Sequence, residues 1–127
     1  MSDYRVKPAH NQPLVDLVVL DPQPRSVGIQ VTRRTYAASG VVYEEGLYVE
    51  LVYSMIENAT QYQAILTAFG LSSLVSANVT LYAEDQTFAA KRWNGRVVRP
   101  DIGRNGAREN YFLRDVVFLV KDLTAAT

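Results

Sequence analysis

The sequence predicts a mainly β protein with one helix, a β-sandwich or an open, split β-barrel with the helix packed at one edge. Three observations carry this. Apolar and polar residues alternate over several stretches, most clearly Leu47–Met55, which is the period of a half-buried strand. Only Asn58–Leu71 changes period: Tyr62, Ile65, Leu66 and Phe69 fall at i, i+3, i+4 and i+7, one apolar stripe on a helix. Long strands with a single helix to cover a face leave few other layered arrangements.

Taken in order, Met1–Pro13 holds two prolines, one Asn and the lone His, and reads as an extended, mobile N-terminal arm. The domain proper is expected over residues 14–123, with 124–127 as a C-terminal tail. Leu14–Leu20 reads as a first strand, stopped by Asp21-Pro-Gln-Pro24 because the proline pair excludes a helix there. Val27–Tyr36 alternates Ile29 and Val31 against Gln30 and Thr32 and reads as a second strand. Ala37-Ala-Ser-Gly40 breaks that pattern, and Val41–Glu45 is a short strand or an excursion loop.

Gly46 then opens the clearest strand. Leu47, Val49, Leu51, Tyr53 and Met55 point one way; Tyr48, Glu50 and Ser54 point the other. Asn58 or Thr60 can cap the helix, Gly70 can end it in the left-handed conformation, and Leu71 can pack back on its last turn. Ser76–Ala83 reads as a strand with Val79 and Leu81 inward. Thr87–Trp93 and Arg96–Arg99 read as a hairpin closed by Asn94-Gly95, since both residues of such a turn need positive φ. Asp101–Arg108 is glycine-rich and basic, a loop. Tyr111–Lys121 is a long last strand whose centre, Val116–Val120, is apolar on both faces and so is expected to be covered on both sides.

At 127 residues the chain is one domain with room for a core. Cysteine is absent, which excludes disulfides, thiolate metal sites and cysteine nucleophiles. The first residues lack the apolar core of a signal peptide, and the longest apolar runs, Leu17–Leu20 and Val116–Val120, are far too short to span a membrane. No membrane anchor is expected, and synthesis in a cytoplasm is the default. Eight tyrosines fit half-buried strand faces and contact surfaces. No sequence repeat points to a solenoid or propeller.

The net charge is zero, but it is segregated. Glu44, Glu45, Glu50 and Glu57 fall in a stretch with no basic residue, whereas Lys91, Arg92, Arg96, Arg99, Arg104 and Arg108 share a stretch with Asp101 alone. Two such stretches on one chain can meet across copies in head-to-tail contacts; the simpler reading is two solvated surfaces that never meet.

Nothing points to catalysis or to a cofactor. His10 is the only histidine, and a triad or metal site built on it needs partners ordered around the arm. Glu84-Asp85 and Glu44-Glu45 are more simply turn and strand-end acids than an acid/base pair. The glycines are not arranged as a phosphate-binding loop. Asn58-Ala-Thr60 and Asn78-Val-Thr80 match the glycosylation pattern, but a helix cap and a strand residue explain them. Trp93 among Lys91, Arg92 and Arg96 could stack bases, as in single-strand binders.

The order of elements, with a strand rich in Arg and Tyr (Val27–Tyr36), a long alternating strand, the helix Gln61-Tyr-Gln-Ala-Ile-Leu-Thr-Ala-Phe-Gly70 and three or four further strands, resembles the minor or distal tail proteins of long-tailed bacteriophages. The resemblance covers about Val27 to Leu123 and is one of pattern, with no diagnostic residue. It implies the tail-tube fold and a ring, usually a hexamer, that stacks on the tail tube and joins it to the tip or baseplate. It also implies a lumen through which the genome passes and a virion-tail location. Candidate contacts between copies are Glu44, Glu45 and Glu50 on one side and Arg92, Trp93, Arg96, Arg99 and Arg104 on the other. The alternative is a monomeric β-barrel that binds single-stranded nucleic acid or a glycan through Trp93 and its neighbouring arginines.

Overall fold

The computed structural model describes residues 4–21, 23–26, 28–36, 42–84, 87, 89–101, 107–109 and 112–127. In chain order its elements are β1 (Arg5–Pro8), a 3-10 turn (Leu14–Asp16), β2 (Val18–Val19), β3 (Gln30–Tyr36), β4 (Val42–Ile56), α1 (Ala59–Phe69), β5 (Ser76–Glu84), β6 (Ala90–Val98), β7 (Ala107–Glu109) and β8 (Phe112–Ala125). The strands lie side by side in the order β2-β1-β5-β6-β8-β4-β3, with β7 against the start of β8. Every pairing among the described strands is antiparallel. The sheet curls into a half-barrel. The protein is therefore mainly β with one helix.

Helix α1 packs against β1 and β4, which stand far apart in the strand order, so it spans the open side of the half-barrel. Its start is set by Asn58, whose Oδ1 accepts from the Gln61 amide at 2.9 Å and satisfies one of the orphan donors of the first turn. Gly70 ends it with φ of 76°; the Gly70 amide donates to Thr67 O and the Leu71 amide to Leu66 O, the paired bonds of a Schellman motif. A side chain at Gly70 would also strike Pro8 at 2.9 Å. Ile65, Leu66, Phe69 and Leu71 are buried, with Tyr62 partly buried beside them, so the apolar stripe faces the core.

Phe118 on β8 is the centre of that core. Its ring stacks on Phe69 at 4.9 Å, meets Tyr53 edge-on at 5.8 Å and lies 6.5 Å from Tyr62. Val6, Val79, Leu81, Val97, Val49, Leu51, Val116 and Val120 complete the concave wall, all fully buried. On the other face Val117 and Leu119 are half-buried, a partial version of the double-sided cover expected for this strand.

Several expectations are corrected. Asn94-Gly95 is not a turn: both residues lie inside β6, and no hairpin closes there. Gly95 instead faces a β-bulge. The β6–β8 register shifts between Asn94↔Thr124 and Arg96↔Lys121, so Asp122 and Leu123 together oppose the single Gly95. Asp122 takes φ of 55°, a conformation Asp tolerates better than most residues. A Cβ on Gly95 would lie 2.7 Å from both Leu123 Cδ2 and Val120 Cγ1 and 3.2 Å from the Lys121 carbonyl. The glycine is required by close approach, not by backbone sign. Asp115, with φ of 53°, disturbs the start of β8 similarly: Arg114 and Asp115 are both exposed while Val116 is buried. Opposite it, Met55 is half exposed and Ile56 is buried, the reverse of simple alternation.

The N-terminal arm is no separate appendage from Tyr4 onward. Arg5–Pro8 pairs with Val79–Tyr82 of β5 along one edge and, through Arg5 and Val6, with β2 along the other. Tyr4 and Val6 are core residues. Leu14–Leu20 is not one strand but the 3-10 turn followed by the two residues of β2. Of the two readings of Val41–Glu45, strand or excursion loop, the strand holds from Val42, where it is the first part of a longer β4 paired with β3. The tail expected at 124–127 begins inside β8, where Thr124 and Ala125 pair with Asn94 and Trp93. Ala37–Gly40 and most of the basic loop, 102–106, lie outside the described residues.

Candidate functional site

The outer, convex face of the sheet holds three of the described charged candidates, Arg92, Arg96 and Glu50. Register fixes its rows, because directly opposed residues share a face. One row is Arg5–Tyr82–Arg92, the next Lys7–Thr80–Asn94–Thr124, the third Asn78–Arg96–Lys121. Further along, Val98 opposes Leu119 and Leu119 opposes Glu50. The face thus runs from basic over β1, β5, β6 and the end of β8, through half-buried aliphatics, to exposed Glu50 on β4.

A polar clamp holds the loop after β1 against this face. Thr80, fully buried, donates from Oγ1 to Ala9 O at 2.8 Å and accepts from the Gln12 amide at 3.1 Å. Asn94, 8 % exposed, accepts at Oδ1 from the Asn11 amide (2.8 Å) and donates from Nδ2 to Asn11 Oδ1 (2.7 Å). The Thr127 amide donates to that same Asn11 oxygen. Arg92 donates to Gln12 O at 2.7 Å, and His10 Nε2 meets Gly95 O at 3.0 Å. These bonds hold Ala9 and Asn11 at φ of 99° and 56°, costly values for residues with a Cβ. The buried polar side chains of this clamp, Thr80 and Asn94, are tolerable because each finds a partner.

The sequence candidates fall in different places. Arg92 and Arg96 share the convex face, Arg96 donating to Asn78 Oδ1 at 3.0 Å. Arg99 is exposed beyond the end of β6, close enough to Tyr62 to oppose the rise that burial gives the phenol's pKa. Glu44 and Glu45 occupy β4 opposite Arg34 and Arg33 of β3, so register gives each a basic neighbour within the same chain. Arg104 lies outside the described residues.

Trp93 is turned inward. It is 7 % exposed, its partner in β5 is Leu81, and Lys91 Nζ sits 4.5 Å from its ring centroid, a cation–π contact. Its indole N–H is buried without an acceptor. The sequence reading missed Arg5, Lys7 and Lys121. A signal existed for the first two: Arg5-Val6-Lys7 alternates like a strand, but the nearby prolines and chain end outweighed three residues.

Among the described residues no group of three or more His, Asp or Glu is placed to hold a metal ion, and no helix is long and apolar enough to cross a membrane. Comparison of the chain with family models, curated proteins and solved structures gives no match.

Proposed function

We propose that the chain is a structural subunit that assembles with its own copies into a ring, of the kind that forms the distal tail or the tube-to-tip connector of a long-tailed bacteriophage. The observation that carries this reading is the pair of unlike edges at the two ends of the sheet. At one end, among the described residues, β2 pairs only with β1. It presents Val18 at 57 % and Val19 at 42 % exposure, with Val15 at 87 % just before them. At the other end, among the described residues, β3 pairs only with β4. An apolar free edge invites pairing, and two different ends favour a heterologous contact that closes into a ring rather than a two-fold dimer. The exposed charges Glu50 and Arg99 supply a salt-sensitive part of the contact.

In this reading the neighbours are tail-tube, tip or baseplate proteins, the location is the virion tail, and the chain is not an enzyme. Light scattering on the purified protein at low and high salt, with negative-stain imaging, tests it. Rings with a defined mass are expected, and Val18→Lys should leave a folded monomer because that side chain is exposed on the edge. A strict monomer at high concentration in both salts, with no ring in the images, overturns the reading.

A further inference from the structure

We propose that the convex face over β1, β5, β6 and the end of β8 binds the phosphodiester backbone of nucleic acid, without reading base sequence. Five cations carry it: Arg5 and Lys7 from β1, Arg92 and Arg96 from β6, Lys121 from β8, set in three adjacent rows. They come from parts of the chain more than a hundred residues apart, and the pairing of β1 with β5 and of β6 with β8 brings them together. Among the described residues of β5, β6 and the end of β8, the acids beside them are Glu84, in the row next to Arg5–Tyr82–Arg92, and Asp122, in the bulge.

Two of the cations are held by neutral partners, at the margins of the loop 9–12 that covers Thr80 and Asn94 in the middle row. Arg92 and Arg96 donate to the neutral oxygens of Gln12 and Asn78, which fixes the guanidinium groups and leaves further N–H donors on each. Arg5 has a buried Nε with no acceptor. Lys121 is exposed and Lys7 partly so. The neutral groups interleaved with them, Tyr82, Asn78 and Thr124, are hydrogen-bonding side chains suited to phosphate oxygens.

An acidic patch of a second copy is the rival occupant. It fits less well, since the exposed acids away from these cations, among them Asp16, Asp21, Glu50, Glu57 and Asp101, lie on separate parts of the chain. Trp93 takes no part, because it faces the core; the contact is electrostatic, not stacking.

Geometry sets the expected strength of the salt effect. Three rows two residues apart span about 13–14 Å along the strands, a length over which one DNA strand presents about four phosphates. Neutralising about four gives a log–log salt slope near −3.6, so affinity should fall about a hundredfold between 50 and 200 mM salt. The test is fluorescence anisotropy of a labelled mixed-sequence DNA duplex with the full chain, at a protein concentration where light scattering finds a single species. Polyglutamate serves as the competing polyanion.

The combined Arg96→Glu and Lys121→Glu variant, altered at two exposed positions, should lose at least tenfold in affinity. Lys91→Gln, on the other face, should bind as the parent does. Should the double variant fail to fold, Lys121→Gln alone should still flatten the salt slope by about one phosphate. No binding at 50 mM salt overturns the proposal, as does competition by polyglutamate at equal charge as effective as that by unlabelled DNA, or an equal loss from Lys91→Gln. These outcomes are independent of ring formation, which the sizing measurement reads.

Discussion

Substituting Gly95 by Ala separates two meanings of an Asn-Gly pair. In a hairpin the glycine is needed for positive φ, and Asn would substitute for it with modest loss. In the bulge the obstacle is volume. An added Cβ meets Val120 Cγ1 and Leu123 Cδ2 at 2.7 Å and the Lys121 carbonyl at 3.2 Å, whereas carbon atoms rest at about 3.5–4.0 Å. Relief needs a movement of about 1 Å. Leu123 can turn its far end, but Val120 is β-branched and stiff, and the carbonyl belongs to the ladder. Overpacking of this kind costs about 1–3 kcal/mol, and the stiff neighbours place Gly95→Ala toward the upper end. At roughly 4 °C per kcal/mol for a domain of this size, the melting temperature should fall by about 8–12 °C. Urea unfolding of Gly95→Ala, Gly95→Asn, Leu123→Ala and the Gly95→Ala/Leu123→Ala pair gives the full comparison. Asn should be worse than Ala, and the pair should lose less than the sum of the singles by about 1 kcal/mol or more, since the truncated Leu123 makes room. A Gly95→Asn variant milder than Gly95→Ala, with strictly additive singles, would refute the close-packing account.

Two other substitutions probe the polar interior. Asn94→Ala strands the Asn11 amide and leaves the Asn11 side-chain oxygen with the Thr127 amide alone; it should cost about 1–3 kcal/mol, with faster amide exchange at Asn11 and Gln12. Tyr53 carries a buried hydroxyl without a partner, and its pKa is raised by burial first and by the Asp21 charge second. Above about pH 10 the unfolded chain releases this proton while the folded chain keeps it. The unfolded state then binds fewer protons, so stability is intact below that pH and falls as pH rises. Tyr53→Phe should therefore be neutral or stabilising near pH 7, by up to about 1 kcal/mol, and should show a shallower alkaline loss in urea unfolding between pH 10 and 12.

What the sequence reveals follows the range of each interaction. The helix was legible, apart from the choice between Asn58 and Thr60 as its cap, because its signals are local: a capping residue, a stripe at helical spacing and a glycine stop. The centre of β4 was equally clear through Val49, Leu51 and Tyr53. The N-terminal strand was hidden because its partners, Val79–Tyr82, lie more than seventy residues away, and four residues beside prolines carry little period of their own. Gly95 misled for a related reason. The residues that require a glycine there, Val120 and Leu123, are about twenty-five positions distant, so the local Asn-Gly pattern spoke without them. The charged candidates fared likewise: the basic stretch was visible as composition, but strand register assigns Arg92 and Arg96 to one face and Trp93 to the other. Register also brings in Arg5, Lys7 and Lys121, which no linear window groups with them.

The integration of β1 also decides which edge the protein exposes. Were residues 1–22 removed, β5 would become the edge. That strand is nine residues long, and its inward side chains Val79 and Leu81 are fully buried in the intact chain. Loss of Tyr4 and Val6 would open the core beside it, and the partners of Thr80 and Asn94 would go as well. A long, apolar, uncovered edge is a template for uncontrolled pairing. The intact chain substitutes β2, two residues long, with β1 behind it. Short edges limit how far a contact can propagate, while Val18 and Val19 still supply apolar area at a defined place. A chain beginning at Gln23 should therefore aggregate without limit rather than form assemblies of defined mass, as read by light scattering during refolding. If that truncated chain stayed soluble and formed the same species as the intact one, the edge role given to β2 and the structural role given to β1 would both be wrong.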